Sequence, residues 1–175
     1  MLINLGIIGQ LLIIAILIPL AYAGLSMAPW VPSRKRDLER IFKLANGRPG
    51  EVFYDLGSGN GQLIFHADKL GYRAVGLEIS WPLFLYSKIK QTIIGAKNTK
   101  IKLRNLFKEN LGDADVVFIF GMPRVARQLQ DKLLKELKPG ARVISYAFSF
   151  PDWQPETVSK PDKKELTIFL YKKSL

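Results

Sequence analysis

The sequence predicts an α/β fold, a mainly parallel, doubly wound sheet closed by a C-terminal β-hairpin and preceded by one N-terminal apolar helix. Three observations carry this. Short apolar runs alternate with helical periodicities from Glu51 to Tyr146. Two of those runs end in an acid, and a glycine-rich turn separates them. At the C-terminus two strand-like runs adjoin with no helix between them, which calls for an antiparallel pair.

The elements follow in order. No side chain from Met1 to Ser33 is charged, and residues 5–25 are almost wholly apolar, with Gln10 and Pro19 as exceptions. A helix crossing the hydrocarbon core takes roughly 20 residues, and this segment has no polar face to turn toward water. Ala21-Tyr22-Ala23 resembles a signal-peptide cleavage site, but the basic start of a signal peptide is missing. The expectation is therefore a transmembrane anchor over residues 1–25 and one domain over residues 26–175. Arg34-Lys35-Arg36 follows the span, so the positive-inside rule puts the domain on the cytoplasmic (or matrix) side of a single-pass membrane protein.

Pro29-Trp30-Val31-Pro32 is a stiff connector. Ser33 is the expected N-cap of a helix with Leu38, Ile41, Phe42 and Ala45 on one face, stopped by Gly47. The stretch 51–62 reads as a buried strand ending in Asp55, then a Gly57-Ser58-Gly59-Asn60-Gly61 turn. Leu63, Ile64, Ala67 and Leu70 mark the next helix, which Gly71 ends. A second strand over residues 74–78 ends in Glu78. Pro82 opens a helix on which Tyr86, Ile89 and Ile93 share a side. Residues 101–105 alternate as a third strand. The continuous apolar run 116–120 predicts a central parallel strand. Val125, Leu129, Leu133 and Leu137 define a further helix, stopped at Lys138-Pro139-Gly140. A fifth strand covers 141–146, and a strand over 166–171 is expected to pair with a short one near 156–159.

Strand, glycine loop, helix, strand and acid together form one mononucleotide-binding half of such a sheet. The spacing selects the ligand. A dinucleotide fingerprint requires glycine where Gln62 stands, and Asp55 at the strand tip would repel a pyrophosphate. It suits a ligand with an ammonium group and no phosphate, which points to S-adenosylmethionine (SAM). Asp55 would hold the methionine end, directly or through water. The paired oxygens of Glu78 would accept from both ribose hydroxyls.

Composition narrows the chemistry further. With no cysteine in 175 residues, disulfides, thiolate metal sites and a cysteine nucleophile are excluded. His66 is the sole histidine and has no clustered partner, so no metal site is expected; it reads as a partly buried helix residue. Lys and Arg number 26 against 15 Asp and Glu, a net charge of +11 that falls wholly after Ser33. Such a domain would be drawn to anionic lipid, nucleic acid or acidic protein surfaces.

Several of these segments, taken together, resemble one family. They are Ala28 to Ser33, the 55–61 loop, Gly76-Leu77-Glu78, the run from Val116 to Pro123, Gly140 to Val143, and Phe148-Ser149-Phe150-Pro151-Asp152-Trp153. The resemblance is to a small group of class I (seven-β-strand, Rossmann-like) SAM-dependent protein-lysine methyltransferases. That group includes the ATP synthase c-subunit lysine methyltransferase and archaeal broad-specificity protein lysine methyltransferases. It implies a SAM cofactor and a protein lysine as substrate, possibly on a membrane protein.

The resemblance also implies roles. Asp55, Leu56, Gly57, Ser58, Gly59 and Gly61 would line the methionine and ribose. Glu78, with Ile79 beside it, would take the ribose hydroxyls, and Asn105 with Leu106 the adenine. Trp30, Pro32, Gly121, Pro123 and Trp153 would shape a slot for the lysine, with no dedicated base. Asn60 and Asn105 stand where members often have Asp, and Ser80 where they often have Asn.

Other substrates keep a place. An enzyme acting on a nucleobase amine would need an amide or acid after the fourth strand, where this chain has Phe120-Gly121-Met122-Pro123, so nucleic acid is disfavoured. A lipid or quinone substrate stays open, as does a non-catalytic SAM-binding membrane module.

Overall fold

The computed structural model describes residues 5–26, 33–121 and 123–174. One seven-stranded sheet runs in the order β3-β2-β1-β4-β5-β7-β6. Its strands are β1 (Val52–Leu56), β2 (Arg73–Glu78), β3 (Thr99–Leu103), β4 (Val116–Phe120), β5 (Arg142–Tyr146), β6 (Thr157–Ser159) and β7 (Ile168–Lys172). The first five are mutually parallel, and β7 inserts antiparallel between β5 and β6. The expected doubly wound sheet with its closing hairpin is thus the observed one. The central place of β4 follows from its unbroken apolar sequence, because both of its faces are covered.

The helices are α1 (Leu5–Ser26), α2 (Leu38–Ala45), α3 (Gln62–Lys69), α4 (Trp81–Ile94) and α5 (Ala126–Glu136). Phe53, Ile64, Ala74, Phe118 and Ile144 build the core under α2, α3 and α4. Tyr54, Val117, Leu129, Leu133 and Tyr171 build the core under α5. Alternation along β1 therefore turns Asp55 to the same face as Phe53, toward α3.

Three local expectations are corrected. Ser33 does not cap α2: a single 3-10 turn, Lys35–Asp37, intervenes and Asp37 takes the N-cap position. The helix stops at Asn46, which adopts φ 42°, and Gly47 is needed because a Cβ there would strike the Tyr72 ring. Strand β3 is Thr99–Leu103 rather than the expected 101–105: Thr99 already pairs with Ala74, and Asn105 leaves the ladder to cap a 3-10 turn, Leu106–Lys108. The membrane expectation is a separate matter. Helix α1 forms over the expected segment, but among the described residues no helix is long and apolar enough to cross a membrane. The transmembrane helix expected from the sequence is not established by the fold.

Candidate active site

The order reverses between β1 and β4, so the crevice of this sheet opens beyond the carboxyl ends of those two strands. The glycine turn leaves β1 at that point. Gly57 adopts φ 93°, a left-handed conformation that glycine takes without penalty. The amides of Gly57 and Ser58 both donate to the Leu77 carbonyl, each at 2.9 Å, which folds the loop back over β2. That approach needs Gly76: a Cβ there would meet the Ser58 side chain and Ile64.

Glu78 pins the loop from the other side. Its Oε2 accepts from the Gly59 amide at 2.7 Å and its Oε1 from the Ser80 amide at 2.7 Å. The side chain is buried, and burial raises its pKa while the backbone amides of Ser80, Gly59 and Ile79 oppose the rise. These amides still leave a lone pair of the carboxylate open, since its two oxygens offer about four acceptor sites.

Asp55 is the electrostatic anomaly of the molecule. It is 3% exposed, and burial, reinforced by the nearby Glu78 charge, pushes its pKa up to about 8. No hydrogen bond or cation among the described residues offsets that burial. The buried hydroxyls of Ser58 and Ser80, close by in the same loops, also have no partner among the described residues. A buried carboxylate without donors is costly unless a cation or donor reaches it.

The remaining cofactor candidates fall around this pair. Leu56 and Leu106 pack into the core under α5, so only their backbones can face a ligand. Ile79 is half-buried between Glu78 and Ser80. Asn105 Oδ1 accepts from the Phe107 amide at 2.9 Å, which leaves its NH2 group for a ligand.

The slot candidates divide. Trp30 and Pro32 lie outside the described residues. Gly121, buried at φ 61°, ends β4 beside the Phe148 ring, and Pro123 is exposed at the start of a 3-10 turn, Pro123–Val125. Trp153 is drawn instead into an aromatic cluster, with Phe150 at 5.8 Å and Tyr171 at 5.1 Å between ring centres. Gln130 of α5 holds it there by accepting from the amides of Asp152 and Trp153.

Sequence reasoning missed a second anchor of this edge. Tyr146, the last residue of β5, donates its hydroxyl to Asp37 at 2.5 Å, and Asp37 also accepts from Arg40. The Tyr146 ring meets Phe120 edge-on at 4.7 Å. Gln62, the first residue of α3, donates to the Ser33 carbonyl at 3.0 Å. These contacts hold the chain around Ser33 over the carboxyl ends of the strands. Ala147 follows at φ 78°, an unusual backbone for a residue with a Cβ. Its one signal in the sequence is its place directly after an apolar strand.

A polar cavity of about 420 Å³ lies at the opposite, amino-terminal edge of the sheet. Two of its cations are paired with acids, Arg142 with Glu51 and Lys138 with Asp115. The anomalous carboxylate and the glycine loop lie at the other edge. Among the described residues no cluster suits a metal ion.

Comparison with known proteins is specific. Residues 55–157 match the sequence model of the ANTKMT methyltransferase domain. The chain is 37% identical over 129 residues to the ATP synthase c-subunit lysine N-methyltransferase of Rattus norvegicus, covering 73% of this chain and 59% of the relative. It is 31% identical over 153 residues to a protein-lysine N-methyltransferase of Saccharolobus islandicus, covering 82% and 92%. Among solved structures it resembles an RNA methyltransferase from Salinibacter ruber in complex with S-adenosyl-L-homocysteine. There the TM-score is 0.77 at 29% identity, covering 82% of this chain and 94% of that one. The chain thus spans about three-fifths of the length of the rat relative.

Proposed function

Because the chain belongs to the ANTKMT methyltransferase family, we propose that it binds SAM beside Asp55 and Glu78 and methylates lysine side chains of a membrane-associated protein. The observation that carries this reading is the buried Asp55 carboxylate at the tip of β1, without a donor among the described residues, beside a loop whose backbone leaves room for a ligand. At Gly57 a Cβ would meet nothing within 4 Å.

When bound, SAM supplies a methyl group on a cationic sulfur, open to an amine lone pair. The protein's own residues do the positioning. Asp55 is placed for the cationic methionine end, and the acceptor capacity left on Glu78 for the ribose hydroxyls. The Asn105 NH2 group is available to adenine. An incoming lysine, with an ordinary pKa of roughly 10.4, must lose its proton. Apolar surroundings and a neighbouring cation both favour the neutral amine. Phe120 and Phe148 supply such surroundings at the rim, so alignment and desolvation do the work of a base.

Support for a protein lysine comes from the rat and Saccharolobus relatives, each named as a lysine N-methyltransferase. A membrane-associated target follows from the N-terminus. We take residues 1–25 as a single-pass anchor and residues 26–175 as the catalytic domain on the cytoplasmic or matrix side. The uncharged run before Arg34 and the basic cluster after it support this placement. The described apolar side chains of α1, such as Leu11, Leu12 and Ile18, are exposed around the helix and would be solvated by lipid.

The test incubates the full chain with radiolabelled SAM and membranes from a strain lacking its gene. Label in methyl-lysine from a discrete protein band is the expected result. Label confined to RNA or to lipid would replace the substrate class and leave the cofactor site standing.

A further inference from the structure

We propose that the outer face of α4 is a membrane-docking surface that seats the domain on an anionic bilayer. The proposal rests on the reading of α1 as an anchor. Helix α4 turns its apolar residues the wrong way for a core helix. Only Ser87 is fully buried, while Trp81, Leu85, Ile89 and Ile93 recur every four residues along the side facing solvent. Ile93 is 78% exposed and Ile89 54%. Tyr86 widens the stripe.

The charges beside the stripe say what covers it. From Ile79 to Lys108 the chain carries seven basic residues and no acid. Lys88, on the flank of the stripe, and Lys97, just past the helix end, are exposed, and neither pairs with an acid among the described residues. Buried protein interfaces are depleted in lysine. A helix lying in a headgroup layer combines Trp, Leu and Ile on one side with lysines beside them. Aromatic residues with a polar edge, here Trp81 and Tyr86, favour the same depth.

Continuity with α1 supplies the second argument. The Trp81 indole N–H donates to the Ala15 carbonyl of α1 at 3.2 Å. The uncharged helix and the outward stripe therefore form one apolar surface. Both helices then present that surface to the same bilayer. Ser80, at the N-cap position of this helix, holds Glu78 through its amide, so docking α4 also fixes the edge around Glu78 relative to the membrane.

The chain lacks cysteine, which allows single-site labelling. Leu12→Cys and Ile93→Cys would each carry an environment-sensitive fluorophore on the full chain. Each is reconstituted in phosphatidylcholine vesicles with and without phosphatidylglycerol, and probed with lipid-borne and aqueous quenchers. We expect lipid-borne quenching at both positions on anionic vesicles. Adding Lys88→Glu and Lys97→Glu should weaken quenching at position 93 by more than about tenfold there, and leave position 12 unchanged.

A buried label at 12 with an aqueous label at 93 would overturn docking and leave the anchor standing. A buried label at 93 with an aqueous one at 12 would support docking and remove the anchor. Aqueous labels at both positions would overturn both. Shielding at 93 only when the vesicles carry a reconstituted hydrophobic proteolipid would overturn the lipid assignment in favour of a protein partner.

Discussion

Asp55 is the residue on which the proposed cofactor site turns. Its raised pKa means that the cofactor-free fold holds a proton that the unfolded chain releases. The unfolded group titrates near 3.8 and the folded one near about 8. Between those values the native state binds more protons, so stability falls as pH rises through that window. Thermal unfolding without ligand should therefore give a lower midpoint at pH 8.5 than at about pH 6. Asp55→Asn should flatten the trend and raise the midpoint at the higher pH. Cofactor affinity should respond in the opposite sense. A cation needs the ionised carboxylate, so SAM binding by calorimetry should tighten about tenfold per pH unit up to about pH 8. Asp55→Asn should lose that slope. A midpoint that rises with pH, or an affinity indifferent to it, would contradict the assignment. Asp55 and Glu78 were legible in sequence because strand, glycine turn and strand are contiguous. The contact between Tyr146 and Asp37 was not, because 109 positions separate the partners. Removing Asp37 leaves the half-buried Arg40 without that carboxylate, so Asp37→Ala should cost about 3 kcal/mol in denaturant unfolding.

At the scale of elements, period and punctuation recovered the strands and helices, and tertiary contacts moved their edges. Every expected strand formed. The start of α2 moved because Asp37 is fixed by Tyr146 and Arg40, a constraint invisible to local capping rules. Strand β3 stops short of Asn105, which spends its carbonyl on a turn. Tyr86, Ile89 and Ile93 do share a side of α4, as their spacing requires, but periodicity is silent on whether that side meets core or surroundings. Trp153 sits in a loop between Pro151 and Pro155 and still packs inward, since Phe150 and Tyr171 offer aromatic area that only the folded chain assembles. The packing of loop on strand is open to a direct check. Gly76→Ala would force a methyl group against Ser58 and Ile64, and should destabilise the domain by about 1–3 kcal/mol in urea unfolding. A neutral substitution would mean that the loop does not lie on β2 as described.

At the scale of the whole molecule, three surfaces divide the work. The carboxyl edge of the sheet holds Asp55 and Glu78, the proposed cofactor pair, the 33–37 segment lies over that edge, and the outer face of α4 continues the apolar surface of α1. A basic domain held this way would present its site to lysines close to a bilayer. The one measurement that decides the central claim compares the full chain with Asp55→Asn, both folded, in membranes with labelled SAM, and recovers methyl-lysine after hydrolysis. The expected result is methyl-lysine from the native chain and at least about tenfold less from the variant, the loss of a charge-assisted contact. Equal methyl-lysine from both, or none from the native chain while it binds SAM, would contradict it.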